Sequence, residues 1–160
     1  MRFAIFVAIG IGAVASGANA EPAWRVFKEE VAVLNFGEPE NALISIICGR
    51  DEETGEDQTW ITVAVEHGTK PTQDAVVLIV HKEGGPKELP LKANICANNE
   101  CSGGADGEVY LYDTVFPEKR PALEIAEEAV QLSIDAPGAK ISAPADAKKF
   151  AEFAELCRNW

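Results

Sequence analysis

The sequence predicts a mainly β fold, either an antiparallel β-sandwich or a small barrel, with a C-terminal α-helix and disulfide staples. Short apolar stretches alternate with turn-forming residues along most of the chain, which is typical of an all-β domain. Helical periodicity appears only after residue 120. Four cysteines occur in a chain that begins like an exported protein, and an even number of cysteines in that setting indicates disulfide bonds.

The first twenty residues, MRFAIFVAIGIGAVASGANA, have the pattern of a cleaved signal peptide. Arg2 supplies a positive charge at the start, and residues 3–15 form an apolar run that is too short to span a bilayer comfortably. Residues 18–20, Ala-Asn-Ala, match a cleavage site. We expect residues 1–20 to be removed. The residue directly after the cut is Glu21 and not a cysteine, so a lipid anchor is not expected. The expected location is the periplasm if the cell is Gram-negative, and otherwise outside the cell.

Seven segments before residue 120 are predicted strands: 23–27, 31–36, 42–49, 59–67, 74–82, 89–96 and 108–116. Segment 42–49, ALISIICG, is continuously apolar, which indicates a buried strand. Segment 59–67 alternates instead, so that Ile61 and Trp60 are expected on opposite faces of the sheet. The last two segments alternate well enough to be paired as a hairpin.

His67 and His81 are the only histidines in the sequence. If segments 59–67 and 74–82 pair as a hairpin, the two side chains lie roughly 23 Å apart, at about 3.3 Å of rise per residue. That distance is too long for a shared metal or a shared catalytic centre. Each histidine is therefore expected to be a surface residue.

The pattern changes after residue 120. Pro121 stands at a plausible start for a short helix over 121–129. The segments 130–134 and 139–143 are separated by the turn sequence DAPG, which predicts a second hairpin. Since no linker interrupts the chain, residues 21–160 are expected to form a single β-rich domain.

A terminal helix is predicted over residues 146–160. Asp146 is a candidate N-cap residue. Phe150, Phe153 and Cys157 follow at spacings of three and four residues, which places them on one face of the helix. This face is expected to pack on the sheet.

The four cysteines are interpreted as two disulfide bonds. Cys96 and Cys101 flank the sequence ANNE. Zinc binding would need further ligands, and redox catalysis usually employs a Cys-x-x-Cys spacing. A disulfide needs Cα atoms roughly 4.4–6.8 Å apart, which a turn containing asparagine permits. We therefore predict that Cys96 bonds to Cys101, and that Cys48 bonds to Cys157 and fixes the terminal helix to the sheet.

Acidic residues greatly outnumber basic ones. The chain has 14 Lys and Arg and 26 Asp and Glu, and only one of these charged residues, Arg2, lies in the signal peptide. Without it, 13 − 26 gives a net charge of −13. This charge disfavours binding to nucleic acid and to anionic lipid surfaces. It promotes solubility, and it would attract a cationic partner.

The sequence contains no recognisable catalytic signature. Its serines lack the G-x-S-x-G and S-x-x-K patterns, and its glycine-rich stretches lack the lysine and helix of a phosphate-binding loop. Two acid-rich stretches remain, 51–57 and 98–108. Neither has the D-x-D-x-D-G spacing of a calcium loop, and neither fixes the carboxylate pair of a glycoside hydrolase. We interpret both as solvated loops, and we predict no catalytic residue, metal or cofactor.

Recognition on a β scaffold usually lies in the loops at the ends of the strands. The residues expected to contribute to binding are Asp51, Glu53, Asn98, Asn99 and Asp106.

Three features resemble small periplasmic proteins of proteobacteria. They are Trp24 soon after the signal peptide, the strand LISIIC ending at Cys48, and the terminal helix FAEFAELC with Phe153 and Cys157. The layout is most similar to the invasion-associated locus B group and to accessory proteins of type VI secretion. The former tends to have a cysteine soon after its tryptophan, whereas WRVFKEE has none. The resemblance implies a role in the envelope, and it supplies no catalytic residues.

The sequence thus predicts an exported, non-catalytic binding or accessory protein of the bacterial envelope that acts on a protein partner. One alternative is an inhibitor of a cationic enzyme such as lysozyme, a task to which a small acidic protein is electrostatically suited. The other alternative is a carboxylate-dependent hydrolase.

Overall fold

The computed structural model describes residues 21–28, 30–38, 41–66, 68–96 and 109–160. The predicted signal peptide, residues 1–20, lies outside these residues, as does His67. Within the described ranges, no helix combines the length and the apolar character needed to cross a membrane.

The described residues form nine strands and two helices. The strands are β1 (Ala23–Lys28), β2 (Ala32–Glu38), β3 (Asn41–Arg50), β4 (Asp57–Ala64), β5 (Ala75–Lys82), β6 (Lys87–Cys96), β7 (Val109–Phe116), β8 (Ala129–Ala136) and β9 (Ala139–Pro144). The helices are α1 (Arg120–Glu128) and α2 (Ala147–Arg158). The predicted mainly β fold with a C-terminal helix is confirmed, and so are the hairpins β6–β7 and β8–β9.

All nine strands belong to one antiparallel sheet, in the order β1-β2-β3-β4-β7-β6-β5-β8-β9. The sheet curls into a half-barrel, which decides between the two predicted architectures in favour of an incomplete barrel. The supposed hairpin between segments 59–67 and 74–82 is wrong, because the β6–β7 hairpin inserts between β4 and β5. The histidine separation calculated from that hairpin has no basis in the observed sheet.

The curl of the sheet brings the β8–β9 turn to strands with which it is not paired. Tyr112 Oη on β7 donates to Pro137 O over 2.8 Å, and Glu66 N donates to Gly138 O over 2.6 Å. Gly138 has φ = 72°, and a Cβ atom at this position would lie 2.6 Å from Val65 Cγ1. The close approach therefore requires glycine in the turn.

Trp24 links the two edge strands of the sheet. Its Nε1 atom on β1 donates to Pro144 O on β9 over 2.6 Å. The indole ring is buried, with its centroid 5.1 Å from that of Phe36 and 4.8 Å from that of Phe150 on α2. Since α2 also contacts β1 and β2, this helix and Trp24 together fill the gap between the sheet edges.

The main hydrophobic core lies on the concave face of the sheet. Alternate residues of the strands are fully buried there, including Ile61 and Val63 of β4, as the alternation of segment 59–67 predicted. Ile125 of α1 and Phe153 of α2 belong to the same core. The helices therefore cover the concave side of the half-barrel.

Helix α2 is fixed at both ends. Asp146 caps its start, because its side chain accepts hydrogen bonds from Lys148 N and Lys149 N. Near its end, Cys157 is disulfide-bonded to Cys48 of β3, with the two Cα atoms 5.6 Å apart. The predicted N-cap and the predicted Cys48–Cys157 pair are both confirmed.

Helix α1 takes its cap from β4. Lys119, at the N-cap position, makes no side-chain capping bond. Instead, the buried Thr59 Oγ1 donates to Glu118 O over 2.7 Å and accepts from Ala122 N at 3.4 Å. Ala122 lies in the first turn of the helix and Glu118 directly precedes the N-cap residue, so one hydroxyl couples the start of α1 to the sheet.

Replacing Thr59 by valine keeps the shape of the side chain and leaves Glu118 O and Ala122 N without these bonds. We expect the free energy of unfolding to fall by about 1–3 kcal/mol, the usual effect of buried polar groups that lose their partner. Urea denaturation measures the change, with Thr59→Ser as the control that retains the hydroxyl. Equal midpoints for the wild type and Thr59→Val would contradict the capping role.

Candidate binding surface on the convex face

The β3–β4 loop, residues 51–56, contains the first predicted binding residues. Asp51 Oδ1 accepts hydrogen bonds from Thr54 N at 2.7 Å, and from Thr54 Oγ1 and Glu53 N, each at 3.0 Å. The backbone hydrogen bond from Thr54, and then its hydroxyl, hold the pKa of Asp51 below its usual value. Asp51 thus shapes the loop, whereas the side chain of Glu53 is exposed and makes no ion pair with a described residue.

The other predicted binding residues, Asn98, Asn99 and Asp106, lie outside the described residues. Cys101 does too, so its bond to Cys96 stays a prediction. The strand ends that flank this segment, Cys96 and Val109, are paired with each other at the end of the sheet opposite to the β3–β4 loop. The two predicted acid-rich stretches therefore start from opposite ends of the half-barrel.

Asp57 forms a small ionic cluster at the base of the β3–β4 loop. Its Oδ1 atom lies 3.3 Å from Arg50 Nε and 3.2 Å from Lys119 Nζ. Lys119 also donates to Trp160 O over 2.6 Å. Burial alone would raise the pKa of Asp57, but the hydrogen bonds and charges of Lys119 and Arg50 together lower it below its usual value. The two cations nearest to the loop are thereby already paired.

We expect Asp57→Asn to lower the free energy of unfolding at neutral pH by less than about 1 kcal/mol, because the side chains of Asp57 and Arg50 are solvent-exposed. The pKa of Asp57 is lower in the folded than in the unfolded state, so its stabilising contribution is complete above the unfolded pKa. It is lost as the pH falls through the folded pKa. Thermal unfolding at several pH values should therefore show the difference from the wild type shrinking in acid.

The matched control for this prediction is Asp135→Asn. Asp135 is highly exposed, and its contact with Lys140 Nζ is 3.7 Å long. We expect no resolvable change at any pH. A deficit of Asp57→Asn that persists undiminished in acid would show that the effect does not come from the charge.

A row of apolar residues crosses the convex face of the sheet. Each member is directly opposite the next on five adjacent strands: Phe27 on β1, Val33 on β2, Ile47 on β3, Trp60 on β4 and Val115 on β7. Side chains in such positions have Cβ atoms about 4.5–5.5 Å apart and pack on one another. We call these five residues the outer apolar row.

The centre of the outer apolar row forms a hydrophobic cluster separate from the main core. Ile47 is only 5% exposed, yet it does not belong to that core. Its neighbours Val33 and Trp60 are half-buried and do not pack on the core either. Ile47 is therefore shielded from water by its neighbours on the convex face.

Gly49 allows this cluster to extend towards the β3–β4 loop. A Cβ atom at Gly49 would lie 2.5 Å from Val31 Cγ1 and 3.5 Å from Trp60 Cζ3. The side chains of Val31 and Trp60 thus close over the backbone of Gly49. The apolar surface therefore extends along β3 as far as Gly49. The acidic β3–β4 loop begins two residues later, at Asp51.

The two ends of the outer apolar row are open to solvent. Val115 is 54% exposed and Phe27 is 40% exposed. The outer apolar row thus has a packed centre and exposed ends, and it lies on the opposite side of the sheet from the main core. Such surfaces in proteins commonly mark interaction sites.

On the side away from the β3–β4 loop, a polar row runs parallel to the apolar one. Its members are again directly opposed: Arg25, Asn35, Ser45, Thr62 and Asp113. Arg25 Nη1 donates to Gly37 O, and Asn94 Nδ2 donates to Asp113 Oδ1, each over 2.5 Å. Burial raises the pKa of Asp113, against the lowering effect of Asn94 and Lys92. The apolar row is thus bounded by polar groups on this side.

Other regions of the described structure are weaker candidates for a functional site. Within the described ranges, no three His, Cys, Asp or Glu side chains are grouped so as to hold a metal. His81 Nε2 on β5 lies 2.8 Å from Ser133 Oγ, which is diagonally across from it on β8. An open groove of about 520 Å³ runs between α1, the start of β8 and α2, and is lined mostly by alanines.

Sequence reasoning missed the outer apolar row, because the row exists only once the strand order is known. One signal was present in the sequence. Segment 42–49 carries apolar side chains on both faces of its strand. In a single sheet, such a strand needs other apolar side chains to shield it from water on each face. Trp60 was expected on the face opposite to Ile61, and it is found there.

Comparison of the chain with protein-family models, with curated proteins and with solved structures gave no match.

Proposed function

We propose that this protein is an exported, non-catalytic binding protein of the bacterial envelope, and that its outer apolar row binds a protein partner. The observation that carries the proposal is the cluster around Ile47, which is separate from the main core and ends in the exposed side chains of Val115 and Phe27. Centres of protein interfaces are rich in such aromatic and aliphatic groups, and Trp60 at the middle of the surface is a typical anchor residue.

Export is supported by the buried bond between Cys48 and Cys157. Disulfides form and persist in oxidising compartments such as the periplasm and the extracellular space. The apolar run and the Ala-Asn-Ala sequence within residues 1–20 support the same location. The resemblance to the invasion-associated locus B group also favours the envelope.

Binding is expected on the convex face because the concave side of the sheet is filled. The strands and both helices contribute to one packed core there, including Tyr112, Phe150 and Phe153. A rigid sheet closed by α2 and a disulfide is well suited to present a fixed surface, since little conformational freedom is lost on binding. Inhibition of a cationic enzyme is one form that such binding can take.

Capture from envelope extract tests the proposal, with the oxidised protein as bait and mass spectrometry as the readout. We compare the wild type with Val115→Ser and with Phe27→Ser. Both side chains are exposed, so the variants are expected to fold normally and to lose a partner that the wild type retains. Circular dichroism checks the fold of each bait.

Val130→Ser is the matched control for this experiment. Val130 is 61% exposed at the start of β8 and lies outside the outer apolar row. We expect this variant to capture the same partner as the wild type. If no protein depends on Val115 and Phe27 for capture, the proposed function of the row is wrong.

A further inference from the structure

We infer that the partner of the outer apolar row is a cationic protein, whose contact segment carries basic side chains beside apolar ones. This inference rests on the proposed function of the row and adds the chemistry of its partner. The apolar side chains supply the contact area, and the charges along one border of the row decide which partner fits.

The acidic border lies at the end of the sheet where β1, β3 and β7 finish. Its described residues in 28–31, 50–57 and 117–119 include seven carboxylates and three cations. The carboxylates belong to Glu30, Asp51, Glu52, Glu53, Glu56, Asp57 and Glu118, and the cations to Lys28, Arg50 and Lys119. The excess of negative charge is therefore concentrated beside the apolar surface.

Two of the three cations are paired with a single carboxylate, so most of the other described carboxylates at this border are left without a cation. Arg50 and Lys119 both bind Asp57. Glu52, Glu53 and Glu56 are exposed and form no ion pair with any described residue. These three carboxylates are free to attract a partner.

The loop is close enough to act on a molecule that is bound to the row. Asp51, just after β3, follows Ile47 by four residues, and Glu56, just before β4, precedes Trp60 by four residues. At about 3.3 Å per residue, each separation is at most roughly 13 Å. Because the Debye length is about 8–10 Å near physiological salt, the loop carboxylates act on basic groups at the near edge of a bound segment.

A cationic protein fits this border better than a second copy of the chain or an anionic surface does. A second copy would bring the same excess of carboxylates, and like charges across an interface oppose binding. A basic side chain that reaches over Trp60 would gain from the indole face as well as from the loop. Complementary charge of this kind also accelerates association, and its effect falls with salt.

Fluorescence anisotropy with defined peptides tests the inference. The probe is the labelled peptide Lys-Val-Lys-Phe-Lys-Val-Lys, and the reference peptide has glutamate in place of each lysine. We expect the wild-type oxidised protein to bind the lysine peptide in a salt-sensitive manner and not to bind the glutamate peptide. Neutralising the loop with Glu52→Gln, Glu53→Gln and Glu56→Gln together should weaken binding about tenfold, since each exposed charge pair contributes modestly.

Two further variants separate attraction by the loop from contact with the row. Val115→Ser should weaken binding of the lysine peptide while leaving the charge unchanged. The control Glu66→Gln, Asp135→Asn and Glu155→Gln removes three carboxylates elsewhere on the surface and should leave binding unchanged. If this control weakens binding as much as the loop variant does, the attraction is diffuse and the inference is overturned.

The remaining outcomes distinguish the inference from the proposed function. If both peptides bind equally and Val115→Ser weakens both, the row binds apolar segments without regard to charge. In that case the cationic partner is wrong and the proposed function stands. The same conclusion follows if neither peptide binds although capture from envelope extract depends on Val115. If neither the peptides nor any envelope protein depends on the row, both proposals are overturned.

Discussion

Removing the bond between Cys48 and Cys157 is expected to lower the free energy of unfolding by about 4–5 kcal/mol. The two residues are 109 positions apart in sequence, and chain-entropy arguments give about 4.7 kcal/mol for a cross-link that closes a loop of about 100 residues. Both side chains are fully buried between β3 and α2, so the bond also holds the terminal helix on the core. The variant is Cys48→Ala with Cys157→Ala, and urea denaturation measures the loss.

The second predicted disulfide provides the control. Cys96→Ala with Cys101→Ala would open a loop of only about five residues, for which the same argument gives about 2 kcal/mol. The two variants should therefore differ by roughly a factor of two in their effect on the free energy of unfolding. Equal midpoints for the wild type and the Cys48→Ala, Cys157→Ala variant would contradict the stabilising role of the bond.

Truncation of Trp24 to alanine is expected to cost about 3–5 kcal/mol, the usual range for a buried large aromatic residue. Trp24 is 5% exposed, packs on Phe36 and Phe150, and donates from Nε1 to Pro144 O. Its loss would leave a cavity between the sheet edges and α2, and it would break the side-chain link from β1 to β9. Denaturant unfolding followed by circular dichroism measures the change.

Trp24→Phe separates the two contributions of the indole. The phenyl ring retains much of the packing against Phe36 and Phe150, but Pro144 O loses its donor. We expect a loss of about 1–3 kcal/mol from this variant. A loss as large as that of Trp24→Ala would mean that the hydrogen bond, and not the packing, stabilises the closure of the half-barrel.

Local patterns in the sequence were sufficient to predict the strands, the helices and the two faces of β4. Asp146 marked the start of α2, and the turn sequence DAPG marked the β8–β9 hairpin. The order of the strands could not be predicted in this way. Trp60 and Val115 are opposed across β4 and β7 although 55 positions separate them, and no local signal indicates such a pairing.

The candidate site depends on those long-range pairings. The acidic loop at Asp51 and Glu53 is visible in the sequence as a run of charged residues. The outer apolar row is not visible, because its members come from five separate strands. Only the uninterrupted apolar run around Ile47 hinted that the convex face is covered at that point. The acidic loop beside the outer apolar row could therefore be predicted from the sequence, whereas the row itself could not.

The fold assigns separate tasks to the two faces of one sheet. The concave face buries the main core, and its helices are fixed by Thr59, Trp24 and the disulfide. The convex face presents a second cluster with solvent-exposed ends, bordered on one side by polar groups and on the other by carboxylates. Substitutions on the concave face should thus change stability, whereas those at the exposed ends of the convex row should change binding.

Site-specific photo-crosslinking tests this account most directly. A photoreactive phenylalanine analogue is placed at Val115 in one protein and at Val130 in another, and each is irradiated in envelope extract. The account predicts a crosslinked protein from position 115 that is lost when Phe27 is changed to serine, and no such adduct from position 130. The same adducts from both positions, or none from position 115, would contradict the assignment of the outer apolar row as the binding surface.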